Sequence, residues 1–229
     1  MAGGQNMISK RMDISKNIRI FERKINYLTD MKKILLTLIA IPVLFAAASC
    51  NKNDSIGGEQ DSRGEVGTVM YGSFSGADNI NVSVTKLDNG VSTVGGTFTM
   101  TDERYMNIIK QLPDQFSVDG DKVTVKNIKF KATDEGVENL SGIYDGVLVK
   151  YKAKVGDTYS NGGKVTHVSE DNDFQWGSMK IKVVEVQNSK KKVDGVKKVT
   201  YWGNHRFGIV AVETEFEDGT SDYATISIF

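Results

Sequence analysis

From residue 66 onward the chain alternates apolar and polar positions in short runs, the period-two pattern of half-buried strands. Runs 66–74 and 80–87 alternate, Asp88-Asn89-Gly90 follows as a hairpin turn, and 91–100 returns as the partner strand. Gly95-Gly96 inside that run marks a bulge or a close approach. One segment switches to helical period. Thr101 is placed to cap it, Asp102 and Glu103 suit its positive end, and Tyr105, Ile108, Ile109 and Leu112 share one face before Pro113 closes it. A single short helix is therefore expected at about 102–111.

Beyond Pro113 the pattern is again that of strands. Asp119-Gly120 divides 116–118 from 123–130, and later strands are predicted at 143–153, 164–168, 179–186, 196–202, 207–216 and 223–228. Asp194-Gly195 and Asp218-Gly219 separate the last three, which predicts an antiparallel meander whose final strand pairs within its own sheet. The expected fold class is mainly β: an antiparallel β-sandwich or partly open barrel with one short helix, in a single domain over 66–229.

The segment before this domain carries a different signal. Met31-Lys32-Lys33 precedes an apolar stretch from Ile34 to Phe45 that is too short to span a bilayer and is interrupted by Pro42. The small residues Ala46-Ala47-Ala48-Ser49 and then Cys50 follow. A cationic head, an apolar stretch and small residues are the order of a secretory signal peptide. Ala47-Ala48-Ser49-Cys50 resembles the lipobox of bacterial lipoproteins, departing from it in having Ala47 where Leu is commoner. The resemblance implies cleavage before Cys50, lipidation of Cys50 and anchorage in a membrane. Ala46-Ala47-Ala48 also fits an ordinary cleavage site that releases a protein beginning at Ser49. Cys50 is the one cysteine of the chain, and an exported protein with a leftover thiol calls for a use of it. Residues 1–30 read as a mis-assigned start or an extended basic n-region.

Residues 50–65 are polar and glycine-rich, which predicts a flexible tether between the anchor and the domain. With its Asn51 and the acidic Asp54 the tract is similar to the lipoproteins of Bacteroidetes, and the domain resembles small envelope lipoproteins of that group in composition. The implied location is the outer membrane, on either face, and the likeness carries no activity with it.

Charge changes the list of partners. The whole chain has 29 Lys/Arg and 29 Asp/Glu, but residues 1–49 hold eight of the bases and three of the acids, leaving 21 against 26 and a net charge of −5. A mildly acidic domain repels phosphate backbones, so no nucleic-acid partner is expected.

Candidate chemistry is sparse. His167 and His205 stand alone, with no cysteine to complete a zinc set. The acidic loop Glu170-Asp171-Asn172-Asp173 makes Asp171 and Asp173 weak calcium candidates, although the spacing matches no EF-hand and a solvated turn explains it equally. Ser83-Val84-Thr85-Lys86 has the S-x-x-K spacing of penicillin-recognising enzymes but lies on a predicted strand. The usual serine-hydrolase, P-loop and dinucleotide patterns do not occur, and no cofactor is expected. Phe174, Trp176, Tyr201 and Trp202, with Asn204 and Arg206 beside predicted turns, make a candidate surface for stacking on sugars. The bland reading of those rings is core packing.

Three function classes stay open: a non-catalytic binding module for a glycan, peptide or envelope partner, a cell-envelope hydrolase, and a structural subunit of a surface assembly. An exposed aromatic patch would mark the first, a cleft of carboxylates with shifted pKa the second, and an unpaired edge strand or large apolar face the third.

Overall fold

The computed structural model describes residues 55–142, 144–190 and 192–229; the segment expected to be a signal peptide and Cys50 lie outside the described residues. Among the described residues, strand alternation and glycine turns produce fourteen strands and one α-helix. They are β1 (Val69–Gly72), β2 (Ala77–Asp88), β3 (Val91–Met100), α1 (Glu103–Lys110), β4 (Phe116–Asp119), β5 (Lys122–Thr133), β6 (Gly136–Asn139) and β7 (Gly146–Lys150) in the first half. The second half holds β8 (Gly163–Val168), β9 (Phe174–Trp176), β10 (Met179–Ile181), β11 (Val184–Asn188), β12 (Val196–Asn204), β13 (Gly208–Phe216) and β14 (Ser221–Ile228).

Eleven of these form one antiparallel path, β7-β6-β5-β3-β2-β1-β14-β13-β12-β11-β8, with β4 added to β5 and β9–β10 standing apart as a hairpin. Short β1 joins the two halves, because Met70 pairs with Val82 of β2 on one side and Ile228 of β14 on the other. The terminal strand therefore pairs within its own sheet, as its alternation predicted. The sheet curls until β7 and β8 nearly meet. Across the remaining gap, side chains take the place of a ladder. Asn161 Nδ2 donates to Val147 O (2.9 Å), Tyr159 Oη accepts from Lys150 N (3.1 Å), and Asn188 Nδ2 donates to Asn161 O (3.2 Å). The first two satisfy β7 backbone groups, and the third ties the connecting loop to β11.

Valines from β7, β8 and β11 pack at this seam: Val147, Val149, Val165, Val184 and Val186 are all buried. Val149 fits against Gly203 of β12. A Cβ at Gly203 would lie 2.6 Å from Val149 Cγ1 and 3.1 Å from its Cβ, so rotating the valine does not make room. Gly203→Ala is accordingly expected to cost about 1–3 kcal/mol, the range for overpacking a filled core. A midpoint shift in urea unfolding measures it, and an unchanged midpoint shows that the seam gives way. Gly96 answers a second close approach. Its φ is 145° and an added Cβ would sit 2.1 Å from Asn81 O, at the bulge the Gly95-Gly96 pair suggested.

Several expectations are corrected. Residues 55–65 are not a tether. Ile56 is 2% exposed inside the seam cluster, and its amide donates to Glu138 Oε2 (3.2 Å). Gly57 N and Glu59 N donate to Glu135 and Asp134, and Asp61 N bonds Ala132 O. Glycine-rich polarity suggested flexibility, but those free amides match the acidic turn after β5, and one isoleucine supplies the apolar anchor. The helix cap is Asp102 and not Thr101. Asp102 Oδ1 accepts from Arg104 N (2.9 Å), whereas the Thr101 amide and hydroxyl donate to Gly76 O. The run predicted at 179–186 breaks into β10 and β11, where Val183 N turns to the Ser169 hydroxyl (3.1 Å). β6 escaped prediction because its sequence, Gly-Val-Glu-Asn, has the polarity of a loop although Glu138 is buried.

Candidate functional site

A ring of about eight strands is just wide enough for its own side chains to fill. Eleven strands span more, and here they leave a partly open cavity of ≈ 570 Å³, within the range of small-molecule sites. Alternation turns apolar residues of both halves into it: Val82, Val94, Phe98, Ile128 and Phe130 from one, Val212, Ile226 and Ile228 from the other. These residues are short of full burial because the surface they retain faces the cavity, except Val94, which is buried.

Helix α1 supplies one wall. The face that its period predicted, Tyr105, Ile108, Ile109 and Leu112, is the face that lines the cavity. The helix is tied to both halves of the sheet. Its first turn follows β3, while Arg104 Nη1 donates to Thr220 Oγ1 (2.8 Å), Tyr105 Oη donates to Asp222 Oδ2 (2.8 Å), and Gln111 exchanges two hydrogen bonds with the backbone of Asp194.

These ties are sensitive to acid. The Arg104 guanidinium, first by hydrogen bond and then by charge, holds the Asp102 carboxyl below its ordinary value against the effect of burial. Burial raises Asp222, but hydrogen bonds from Ser75 and Tyr105 and the Arg104 charge together outweigh it, so its pKa is also lowered. A carboxyl with a folded pKa below the unfolded value binds its proton more tightly when unfolded. Its stabilisation is present above the unfolded pKa of about 3.9 and is lost as pH falls through the folded value. The protection of α1 amides, taken as exchange rate relative to the intrinsic rate at each pH, should therefore fall below about pH 4, and less so in Asp222→Asn; protection that does not change with pH would refute this coupling.

Polar groups are few in the cavity wall. Asn139 is satisfied, donating to Tyr144 O and accepting from Ser141 N. Burial, with the neighbouring Tyr144, pushes the Tyr201 hydroxyl upward. Among the lining residues Arg63 is the one formal charge. It sits on a single 3-10 turn, Ser62–Gly64, and is 7% exposed. Its Nη2 donates to Asp61 Oδ2 (2.5 Å) and His205 O (3.3 Å). Arg63 Nε and Nη1 are buried without an acceptor among the described residues, and so is the hydroxyl of Tyr151, whose ring centroid lies 5.9 Å from the Arg63 guanidinium carbon. Burial raises that hydroxyl to about 12. Reading 50–65 as a tether hid Arg63; Ile56, an apolar residue in a polar tract, was the one signal that the segment packs.

The aromatic candidates divide. Tyr201 lines the cavity, while Trp202, its neighbour along β12, packs with Phe174 and Trp176 over Ile181, Val183 and Val210 beneath the β9–β10 hairpin. Both indole N–H groups are used internally: Trp176 donates to Ile226 O (3.2 Å) and Trp202 to Glu185 Oε2 (3.1 Å). Asn204 is a buried turn-former, donating to Lys182 O and accepting from Arg206 N and Phe207 N. Arg206 is exposed, with its guanidinium 5.4 Å from the Phe207 ring centroid. The six residues do not converge on one surface. Asp171 and Asp173 lie in an exposed loop, where Asp173 accepts from the Ser169 hydroxyl (2.6 Å) and meets His167 at 3.7 Å. Among the described residues no group of three His, Cys, Asp or Glu is placed to hold a metal.

The carboxyls with shifted titration, Asp102, Asp173, Glu215, Asp218 and Asp222, are all lowered, whereas a general acid at neutral pH needs one raised. Comparison with protein families, with curated proteins and with solved structures finds no match for this chain.

Proposed function

We propose that the protein is a lipid-anchored, non-catalytic binding module of the cell envelope, whose sheet carries an elongated apolar molecule in its interior. The observation behind this reading is the cavity, ≈ 570 Å³ and walled almost wholly by aliphatic and aromatic side chains. A preformed apolar site of this size favours a ligand by about 0.8 kcal/mol for each methylene it removes from water. A chain of some sixteen carbons then gains roughly 12 kcal/mol gross, enough to leave micromolar affinity after association costs of several kcal/mol.

The anchor part of the proposal rests on the lipobox-like Ala47-Ala48-Ser49-Cys50, and it places the domain at the outer membrane through lipid on Cys50. With residues 55–65 packed into the domain, the linker shortens to 51–54, and the domain sits close to the bilayer surface. Among the described residues no helix is long and apolar enough to cross a membrane. The test is a titration of the full-length Cys50→Ala chain with the apolar fluorophore diphenylhexatriene. Saturable one-to-one binding at micromolar concentration is expected; a linear, unsaturated response rejects the reading.

A further inference from the structure

Resting on the apolar-cavity reading, a further feature narrows the ligand. We propose that Arg63 anchors the head of the ligand, and that the ligand is an acyl chain ending in a carbonyl-type oxygen, a fatty acid or its ester.

Arginine has five N–H donors and no acceptor, so whatever completes it must bring lone pairs. Arg63 is more than nine-tenths buried, yet Nε and Nη1 have no acceptor among the described residues. Buried donors are almost always satisfied, and an orphan on a charged group is the costliest kind. The position of these orphans matters as much as their number. Arg63 belongs to the cavity wall beside Gly208 and Ile209, in a lining otherwise without charge. Gly208, at φ 77°, packs its backbone against this side chain: a Cβ there would lie 3.4 Å from Arg63 Cδ, 3.6 Å from Nε and 3.7 Å from Nη1. The Tyr151 ring centroid lies 5.9 Å from the same guanidinium carbon, and its buried hydroxyl also has no partner among the described residues.

The charge of Arg63 is already matched by Asp61 at 2.5 Å. The pair is neutral, so the head group must accept hydrogen bonds but need not be an anion. An acid and an ester share that chemistry. A sugar does not fit the reading, since the rest of the wall offers it apolar surface.

The test compares three probes on the full-length Cys50→Ala chain: cis-parinaric acid, its methyl ester, and diphenylhexatriene, which has no oxygen. Arg63→Met should weaken the oxygen-bearing probes about tenfold or more, the equivalent of one lost hydrogen bond, and leave diphenylhexatriene unchanged. Arg63→Lys keeps the charge opposite Asp61 but lacks Nε and Nη1, and it should show the same selective loss even if the methionine variant folds poorly. Loss confined to the acid assigns a carboxylate head, and loss shared with the ester assigns a carbonyl oxygen; both support the anchor. Equal loss for all three probes, or loss for none, overturns it. Failure of diphenylhexatriene to bind the unsubstituted Arg63 chain instead defeats the cavity reading itself.

Discussion

Enlarging two cavity-wall valines, Val82→Phe with Val212→Phe, should abolish binding of an apolar probe while leaving the empty protein as stable as before, or more stable. The two sit on β2 and β13, in opposite halves of the strand path, and both line the cavity. In a filled core the same enlargements would cost about 1–3 kcal/mol each, because neighbours must move. In an open interior the new rings meet apolar walls and bury surface, at about 25 cal/mol per Å². The response to ligand then separates the proteins. At a hundredfold excess over its Kd, a ligand bound to the native state alone stabilises by about 2.7 kcal/mol, a rise of roughly 5–10 °C in Tm for a domain of this size. The original chain should show that rise, and the double variant none. A variant that is destabilised by several kcal/mol and still binds the probe would place the ligand elsewhere.

The second large effect concerns the membrane. Expressed in a Gram-negative host, the full chain should carry a diacylglyceryl and an acyl group on Cys50 and enter the detergent phase, and Cys50→Ala should lose the added mass and stay in the aqueous phase. Two acyl anchors bind a membrane durably where one does so marginally, which makes the expected change close to all-or-none. The Cys50→Ala variant also supplies the protein for the probe titrations, since detergent would compete for an apolar cavity. Recovery of both forms in the aqueous phase, beginning at Ser49, would establish an ordinary signal peptide and a free thiol in place of the anchor.

The two results bear on one arrangement. With lipid on Cys50, a domain packed from Ser55 onward would hold its cavity near the bilayer, where amphipathic acyl molecules are found. Anchor and cavity are nevertheless independent claims, one resting on Cys50 and one on the strand path, and either can fail alone.

The features legible along the chain are local. Strand alternation, the Asp-Gly and Asn-Gly turns, and the helical face of Tyr105, Ile108, Ile109 and Leu112 depend on neighbours a few residues apart, and the mainly-β antiparallel class with one short helix follows from them. Even the bulge at Gly96 was legible, because a glycine pair inside a strand has few other uses. Which side of each strand faces the cavity, and how wide that cavity is, follow from long-range pairing of the strands. Tyr201 and Trp202 are adjacent on β12 with similar chemistry, yet one faces the cavity and the other the β9–β10 hairpin, and that depends on the closing of β7 toward β8. Arg63 is the sharper case. Along the chain it is a charge in a polar, glycine-rich tract; in the fold it is buried in an apolar wall and paired with Asp61, with Nε and Nη1 lacking an acceptor among the described residues. Its surroundings, Gly208 and Ile209 among them, come from strands some 145 residues away, and no spacing rule joins residues so distant until the sheet has curled.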